Sequence, residues 1–228
     1  MGSNYRVTYG VDLVFCIDAT MSMNHILGIV KDNALNFYRD FKKTMDEKHK
    51  TVIQLRVRIV AFRDYYYDRE KAMMVTDFFN LPEQSDDFQA CVRCIEAEGG
   101  GDDPEDGLEA LAYAMKSKWS TPGKKNRHVI VVWSDEGTHD LGFGKSAPNY
   151  PNGMAKDFNE LTEWWGSSYC PGIMDESAKR LLLFTPDKPS WNKIKDNWNN
   201  VIHYESEAGT GLKDSDYSMI LNAICNSI

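Results

Sequence analysis

The chain has 228 residues, 42% hydrophobic and 26% charged, a composition that suits a folded globular domain and excludes a disordered chain. A formal charge of −8 supplies no positive field to displace counterions from phosphates, which excludes a general nucleic-acid binder. No apolar run approaches the ~18 residues of a membrane span and no signal peptide is visible, so no membrane partner is expected. Cys16, Cys91, Cys94, Cys170 and Cys225 are odd in number and too sparse for a disulfide scaffold, which points to a reduced, cytoplasmic protein. Met1-Gly2-Ser3 has the look of an expression scar, and residues 1–4 are expected to be a scar or a disordered start.

Val11 to Ile17 is a nearly continuous apolar run that stops at Asp18, the pattern of a strand buried on both faces. Ile26, Leu27, Val30, Ala34, Leu35, Tyr38, Phe41 and Met45 recur at helical spacing and predict one long helix. A strand over Val52 to Phe62 follows, then a strand over Ala72 to Phe79 as a hairpin partner at the sheet edge. Helical patterns cover Ser85 to Ala97 and Pro104 to Lys118, with Gly99-Gly100-Gly101-Asp102-Asp103 between them. His128 to Trp133 is a clear strand ending at Ser134-Asp135, and Glu136 to Met154 is a Gly-, Pro- and Asn-rich loop. The pattern closes with a helix over Phe158 to Trp165, a strand over Arg180 to Phe184, a short helix over Trp191 to Trp198, a strand over Asn200 to Tyr204 and a helix from Tyr217 to Ile228. Nothing divides the chain, so 1–228 is expected to be a single domain. Alternating strands and helices predict a doubly wound α/β fold: a mostly parallel central sheet, helices on both faces and an antiparallel edge strand. Such sheets bind ligands outside the carboxyl ends of their strands.

Two strands stop at aspartates on that edge, Asp18 and Asp135. Thr20 and Ser22 follow Asp18 at alternate positions, so three oxygen-bearing side chains can turn toward one point. Carboxylates and hydroxyls on loops form a hard-cation site; Mg²⁺ takes octahedral oxygen coordination at ~2.0–2.1 Å, and Mn²⁺ or Ca²⁺ are the alternatives. An acidic loop before a helix is also an ordinary N-cap, so the weight lies in several such loops in register.

The set resembles a known family. Asp18-Ala19-Thr20-Met21-Ser22 after an apolar strand resembles the Asp-x-Ser/Thr-x-Ser loop of von Willebrand factor A domains, where it forms the metal-ion-dependent adhesion site. Gly99 to Leu108 resembles the second loop of that family and Ser134-Asp135-Glu136-Gly137 the third. The Gly-Gly-Gly-Asp-x-Pro-Glu form and Ala61-Phe62-Arg63-Asp64-Tyr65 are most similar to A domains of alpha-kinase-type proteins and bacterial intracellular relatives. The resemblance implies Asp18, Thr20 and Ser22 as first-loop metal ligands, direct or through water, and Asp135 as the third-loop carboxylate. Asp102 takes the second-loop place, five residues before Gly107, where many members carry threonine. Three carboxylates against a dication leave one net negative charge, which strengthens metal binding and weakens attraction for a partner carboxylate.

Other features carry less. Gly144-Lys145-Ser146 lacks the glycine and the helix of a phosphate-binding loop. Cys91-Val92-Arg93-Cys94 is a lone pair, short of the ligands zinc needs, and fits two buried helix cysteines. Arg63 and Asp64 suit an ordinary salt bridge, His139 a solvated loop, and Trp164-Trp165 a core contact on at least one side. The expected function is a metal-dependent protein-interaction module rather than an enzyme: a scaffold or adaptor that binds another protein at the metal face. Glu136 to Met154 would choose the partner. The rival is a Mg²⁺-dependent phosphotransferase or hydrolase, for which the sequence shows no convincing general acid or base.

Overall fold

In a computed structural model of the chain, which describes residues 7–100, 104–213 and 215–228, β1 (Thr8–Asp18) is buried from Tyr9 to its end. Val11, Leu13, Phe15 and Ile17 enter one core and Val14 and Cys16 the other, the period of two that a strand imposes. β1 lies between β2 (Thr51–Phe62) and β5 (Lys125–Trp133), parallel to both. β6 (Lys179–Pro186) and β7 (Val201–Ser206) extend the parallel sheet beyond β5. On the far side of β2 lie β3 (Met73–Val75) and β4 (Phe79–Leu81), both antiparallel to it. The path across the sheet is β3-β2-β1-β5-β6-β7, with β4 also on β2.

Helices cover both faces. α1 (Asn24–Asn33), α2 (Phe37–Glu47), α3 (Ser85–Arg93) and α7 (Tyr217–Ser227) supply one core with Ile26, Phe41, Phe88 and Ile224. α4 (Gly107–Met115), α5 (Phe158–Trp165) and α6 (Pro189–Asn197) supply the other with Leu111, Trp165 and Trp191. The doubly wound α/β architecture expected from the sequence is the one observed.

Local departures have local causes. The expected single helix from Ile26 to Met45 is two. Asn33 donates its side-chain N–H to the Ile29 carbonyl at 2.8 Å, and Asn36 and Phe37 then bond three residues back, to Asn33 and Ala34. Asparagine thereby competes with the i→i−4 ladder, and the break leaves Leu35 exposed while Phe37 takes its place in the core. The expected strand from Ala72 to Phe79 is split at Thr76. There the main-chain N–H donates to the Ile59 carbonyl while Oγ1 accepts from the Ile59 N–H, each at 3.0 Å, so a side chain replaces part of the ladder. α3 ends at Arg93, so Cys94 lies past the helix and is exposed, while Cys91, inside it, is only half-buried; neither is the buried helix cysteine expected. Trp165 is fully buried and Trp164 partly.

Register positions the edge that matters. Asp18 pairs with Phe62, and Ile17 with both Ala61 and Trp133. The chain therefore leaves β1, β2 and β5 at one end of the sheet, into Ala19-Thr20, Arg63-Asp64 and Ser134-Asp135.

Candidate metal centre

Asp18 and Asp135 are both fully buried at this edge, Thr20 is 6% exposed and Ser22 is open to solvent. Asp18 Oδ1 accepts from the Thr20 N–H at 3.0 Å and from Thr20 Oγ1 at 2.6 Å, and Oδ2 accepts from Ser134 Oγ at 2.8 Å. Ser22, in a single 3₁₀ turn over Met21–Met23, donates to Asp135 Oδ1 at 2.8 Å. Thr20 Oγ1 and Ser22 Oγ lie 3.4 Å apart. Asp18, Thr20, Ser22 and Asp135 thus form one continuous oxygen network. Burial pushes the Asp18 carboxyl up to about 6 against the lowering effect of its hydrogen bonds, and nearby Asp135 adds to the rise.

A loop that sequence reasoning missed closes one side. Gly211, at φ +65°, donates its N–H to Asp135 Oδ2 at 2.8 Å, and a Cβ there would stand 2.2 Å from the Ser22 carbonyl oxygen. Only glycine supplies both the left-handed backbone and the space. Gly209 adds an N–H to the Asp135 carbonyl at 2.8 Å.

Asp102 lies outside the described residues. Of the second loop, the structure places Glu105 at the centre, a residue that the sequence reading absorbed into the first turn of a helix. That helix begins only at Gly107; Glu105 instead pairs with Thr138 in an isolated parallel bridge. A Cβ on Gly100, itself at φ +79°, would stand 3.1 Å from Glu105 Oε1 and 3.2 Å from Thr20 Cγ2, so the two side chains flank one glycine. Glu105 is 3% exposed and its Oε2 has no hydrogen-bond partner. Burial raises its carboxyl to about 9, with added repulsion from Asp18, Asp64, Asp68 and Asp106. No local signal could have found it: Pro104 suits the first turn of a helix, and Glu105 is instead held by its bridge to Thr138.

Arg63 does not pair with Asp64. Its guanidinium donates to the carbonyls of Ala19, Lys71, Glu96 and Glu98 at 2.6–3.0 Å, a buried clamp that holds the first loop against the turn after β2. His139 is 7% exposed rather than a solvated loop residue. The Glu136 to Met154 stretch folds back onto the domain: Gly142 N–H and Tyr150 Oη both donate to Glu109 Oε1, and Tyr150 packs on Tyr65. Phe143 remains exposed at its tip.

The donor set fits a hard cation. All side-chain donors at the first centre are oxygens, and among the described residues no Lys, Arg or His forms an ion pair with Asp18, Glu105 or Asp135. Glu105 Oε2 is an orphaned buried polar atom, and Oε1 of the same carboxyl stands by Gly100 next to Thr20. Buried carboxylates without a counterion are expensive, and a divalent metal removes that cost.

No curated protein matches the chain. Solved structures do. The pilus adhesin SpaC from Lactobacillus rhamnosus GG aligns over 98% of this chain and 31% of its own, at 13% identity and a TM-score of 0.53. The PilB minor pilin from Streptococcus sanguinis aligns over 99% of this chain and 63% of its own, at 11% identity and a TM-score of 0.54. Proximal thread matrix protein 1 from the mussel byssus aligns over 97% and 49%, at 10% identity and a TM-score of 0.50. The chain spans less than two thirds of each of these proteins, and at such identities the likeness is one of fold. A family model described as the von Willebrand factor A domain matches residues 12–125, half of the chain, from β1 through the first two loops to the start of β5. The chain belongs to the von Willebrand factor A domain family.

Proposed function

We propose that the chain, as one domain, is a metal-dependent protein-interaction module whose docking face is the C-terminal edge of β1 and β5. The observation that carries this reading is the oxygen network joining buried Asp18, Thr20 and Asp135 to exposed Ser22 across two adjacent strand ends. Asp18, Thr20, Ser22 and Asp135 would hold Mg²⁺, or Mn²⁺ or Ca²⁺ in its place, with Asp102 as the second-loop carboxylate. Bound there, the ion supplies a coordination position for an oxygen of the partner. Ser22 faces solvent and presents the site outward, while Asp18 and Asp135 anchor it from below. Gly211 and Ser134 hold the two carboxylates in orientation through their hydrogen bonds.

The same edge carries exposed Met21, Tyr66, Tyr67 and Phe143. Exposed aromatic and methionine side chains around a polar centre are the composition of an interaction surface. Three carboxylates leave the site with net negative charge, so we expect the partner to present a neutral oxygen or a basic rim. We place the chain nearest the alpha-kinase-type and bacterial intracellular members of its family, on its Gly-Gly-Gly-Asp-x-Pro-Glu loop, and read it as a non-enzymatic scaffold or adaptor. Five cysteines without a disulfide support a reducing, cytoplasmic setting. The test is capture of partners by immobilised protein in Mg²⁺ and in EDTA, for the wild type and Asp18→Ala. Binding that persists unchanged in EDTA and in Asp18→Ala rejects the metal face as the docking surface.

A further inference from the structure

We propose that Asp64, Asp106 and His139 form a second cation site, built for one divalent transition-metal ion of the Zn²⁺ class and separate from the Asp18 centre. Three chain segments are knitted together there. The Asp106 N–H donates to the Arg63 carbonyl at 3.1 Å, the His139 N–H donates to the Glu105 carbonyl at 2.9 Å, and the Tyr65 N–H donates to Asp106 Oδ2 at 2.7 Å. The main chain thereby delivers one donor from the end of β2, one from the start of α4 and one from the loop after β5.

The donor atoms fit an ion. One atom from each residue lies within 4.8 Å of the other two, and Asp64, Asp106 and His139 are 0%, 0% and 7% exposed. His139 Nδ1 stands 3.1 Å from Asp106 Oδ1 and 3.3 Å from Asp64 Oδ2. Ligands at 2.0–2.1 Å from a tetrahedral ion are separated by about 3.3 Å, so these two spacings match edges of a coordination tetrahedron. Three donors from the described residues leave its fourth position to a water.

A second observation points to a ligand. Asp64 Oδ1 accepts from the N–H groups of Tyr66 and Tyr67, but Oδ2, the atom that faces His139, has no hydrogen-bond partner and no contact with solvent. A single proton on Nδ1 cannot serve two carboxylates, and Asp106 Oδ1 is the nearer acceptor. Among the described residues no Lys or Arg pairs with either acid, since Arg63 is spent on carbonyls. Asp106 also occupies the N-cap position of α4 without capping it; the Leu108 N–H is taken by Thr138 Oγ1 at 3.1 Å instead. Its carboxylate is turned away from the helix, toward His139.

The chemistry chooses the ion. An imidazole nitrogen beside two carboxylates suits Zn²⁺ and its neighbours, whereas Mg²⁺ prefers oxygen alone. Stacking of His139 on Phe143, with centroids 4.0 Å apart and planes at 20°, fixes the ring with Nδ1 toward the acids. The ion staples the Glu136 to Met154 loop to the core and sets the exposed rim on which a partner would rest.

The test uses untagged protein stripped with EDTA and titrated with Zn²⁺ alone, in the wild type, Asp18→Ala, Asp64→Asn and His139→Ala. We expect Asp18→Ala to keep a Zn²⁺ equivalent that Asp64→Asn and His139→Ala bind at least ~10-fold more weakly, as loss of a ligand or its support dictates. X-ray absorption of the zinc-loaded wild type should show a nitrogen and oxygen shell with an imidazole contribution, which keeps the proposal testable if a variant fails to fold. A sulfur shell at ~2.3 Å, or unchanged affinity in both Asp64→Asn and His139→Ala, overturns it. Loss of Zn²⁺ binding in those two variants with Mg²⁺ binding retained leaves the Asp18 reading intact, so the two assignments fail separately.

Discussion

Asp18→Asn should make the metal-free protein more stable and abolish its response to Mg²⁺. Burial raises the Asp18 carboxyl from 3.8 to about 6, so at pH 7.5 its charge costs the folded state ~3 kcal/mol, at roughly 1.4 kcal/mol for each pH unit. Asparagine keeps an oxygen for Thr20 N–H and Oγ1 but turns an N–H toward Ser134 Oγ, forfeiting about one hydrogen bond, ~1 kcal/mol. The net gain is ~2 kcal/mol, or roughly 4–8 °C in Tm for a chain of this size. A metal at 100 times its Kd stabilises the wild type by ~2.7 kcal/mol, so saturating Mg²⁺ should reverse the order. The raised folded pKa also means that folding takes up a proton at Asp18 between pH 4 and 6. The advantage of the variant should therefore shrink as pH falls through 6, vanish at about pH 4.5 and turn into a small deficit below it. Differential scanning calorimetry at pH 7.5 and pH 4.5, with EDTA and with Mg²⁺, reads all four states. A variant that is less stable than the wild type in EDTA at pH 7.5, or that still gains stability from Mg²⁺, refutes the reasoning.

Mg²⁺ affinity should fall about tenfold for each pH unit below about 6, because the ion must displace the Asp18 proton; calorimetric titration between pH 5 and 7.5 checks the slope. Glu105, raised to about 9 from 4.5 by burial, binds a proton in the folded metal-free protein that the unfolded chain has lost. The stability of the metal-free wild type should therefore decline as pH rises from 5 to 9, and Glu105→Gln should flatten that decline in urea melts. Asp12 accepts both Arg56 Nε and Nη2, at 2.8 and 2.7 Å, beneath the sheet. Asp12→Ala should cost ~1.5–3 kcal/mol by removing the charged acceptor of Arg56 and of the Ser120 N–H, while Arg56 keeps the Lys118 carbonyl, read as a drop in the denaturation midpoint with metal affinity unchanged. Deleting part of Ser146 to Gly153 should abolish partner capture while Mg²⁺ affinity stays within about twofold, since no residue of that segment touches Asp18 or Asp135 among the described contacts.

The central strands were legible because a continuous apolar run needs cover on both faces, and Val11 to Ile17 and His128 to Trp133 find it in the middle of a parallel sheet. Asp18 and Asp135 were legible for the same reason, as the first charges after those runs. Side-chain competition for the backbone was not legible. Asn33 and Thr76 each broke an element whose apolar spacing gave no warning. The burial of His139 and Glu105 depends on the chain after β5 pairing with the residues before α4, a contact across more than 30 positions that leaves no periodic trace. Gly211 reaches Asp135 from beyond β7, and no local pattern links the two. Asp102, the one second-loop ligand named from the sequence, lies outside the described residues, and Glu105 is the carboxylate of that loop that the structure sets beside Thr20.

The central claim is a cation held between the ends of β1 and β5. Anomalous diffraction from a crystal of the protein soaked in Mn²⁺ tests it most directly, because the signal locates the ion against individual oxygens. The account predicts a peak within ~2.3 Å of Ser22 Oγ and bridging Asp18 to Asp135, directly or through one water. An anomalous map with no peak at that edge, while Mn²⁺ occupies other acidic groups of the same molecule, would contradict it.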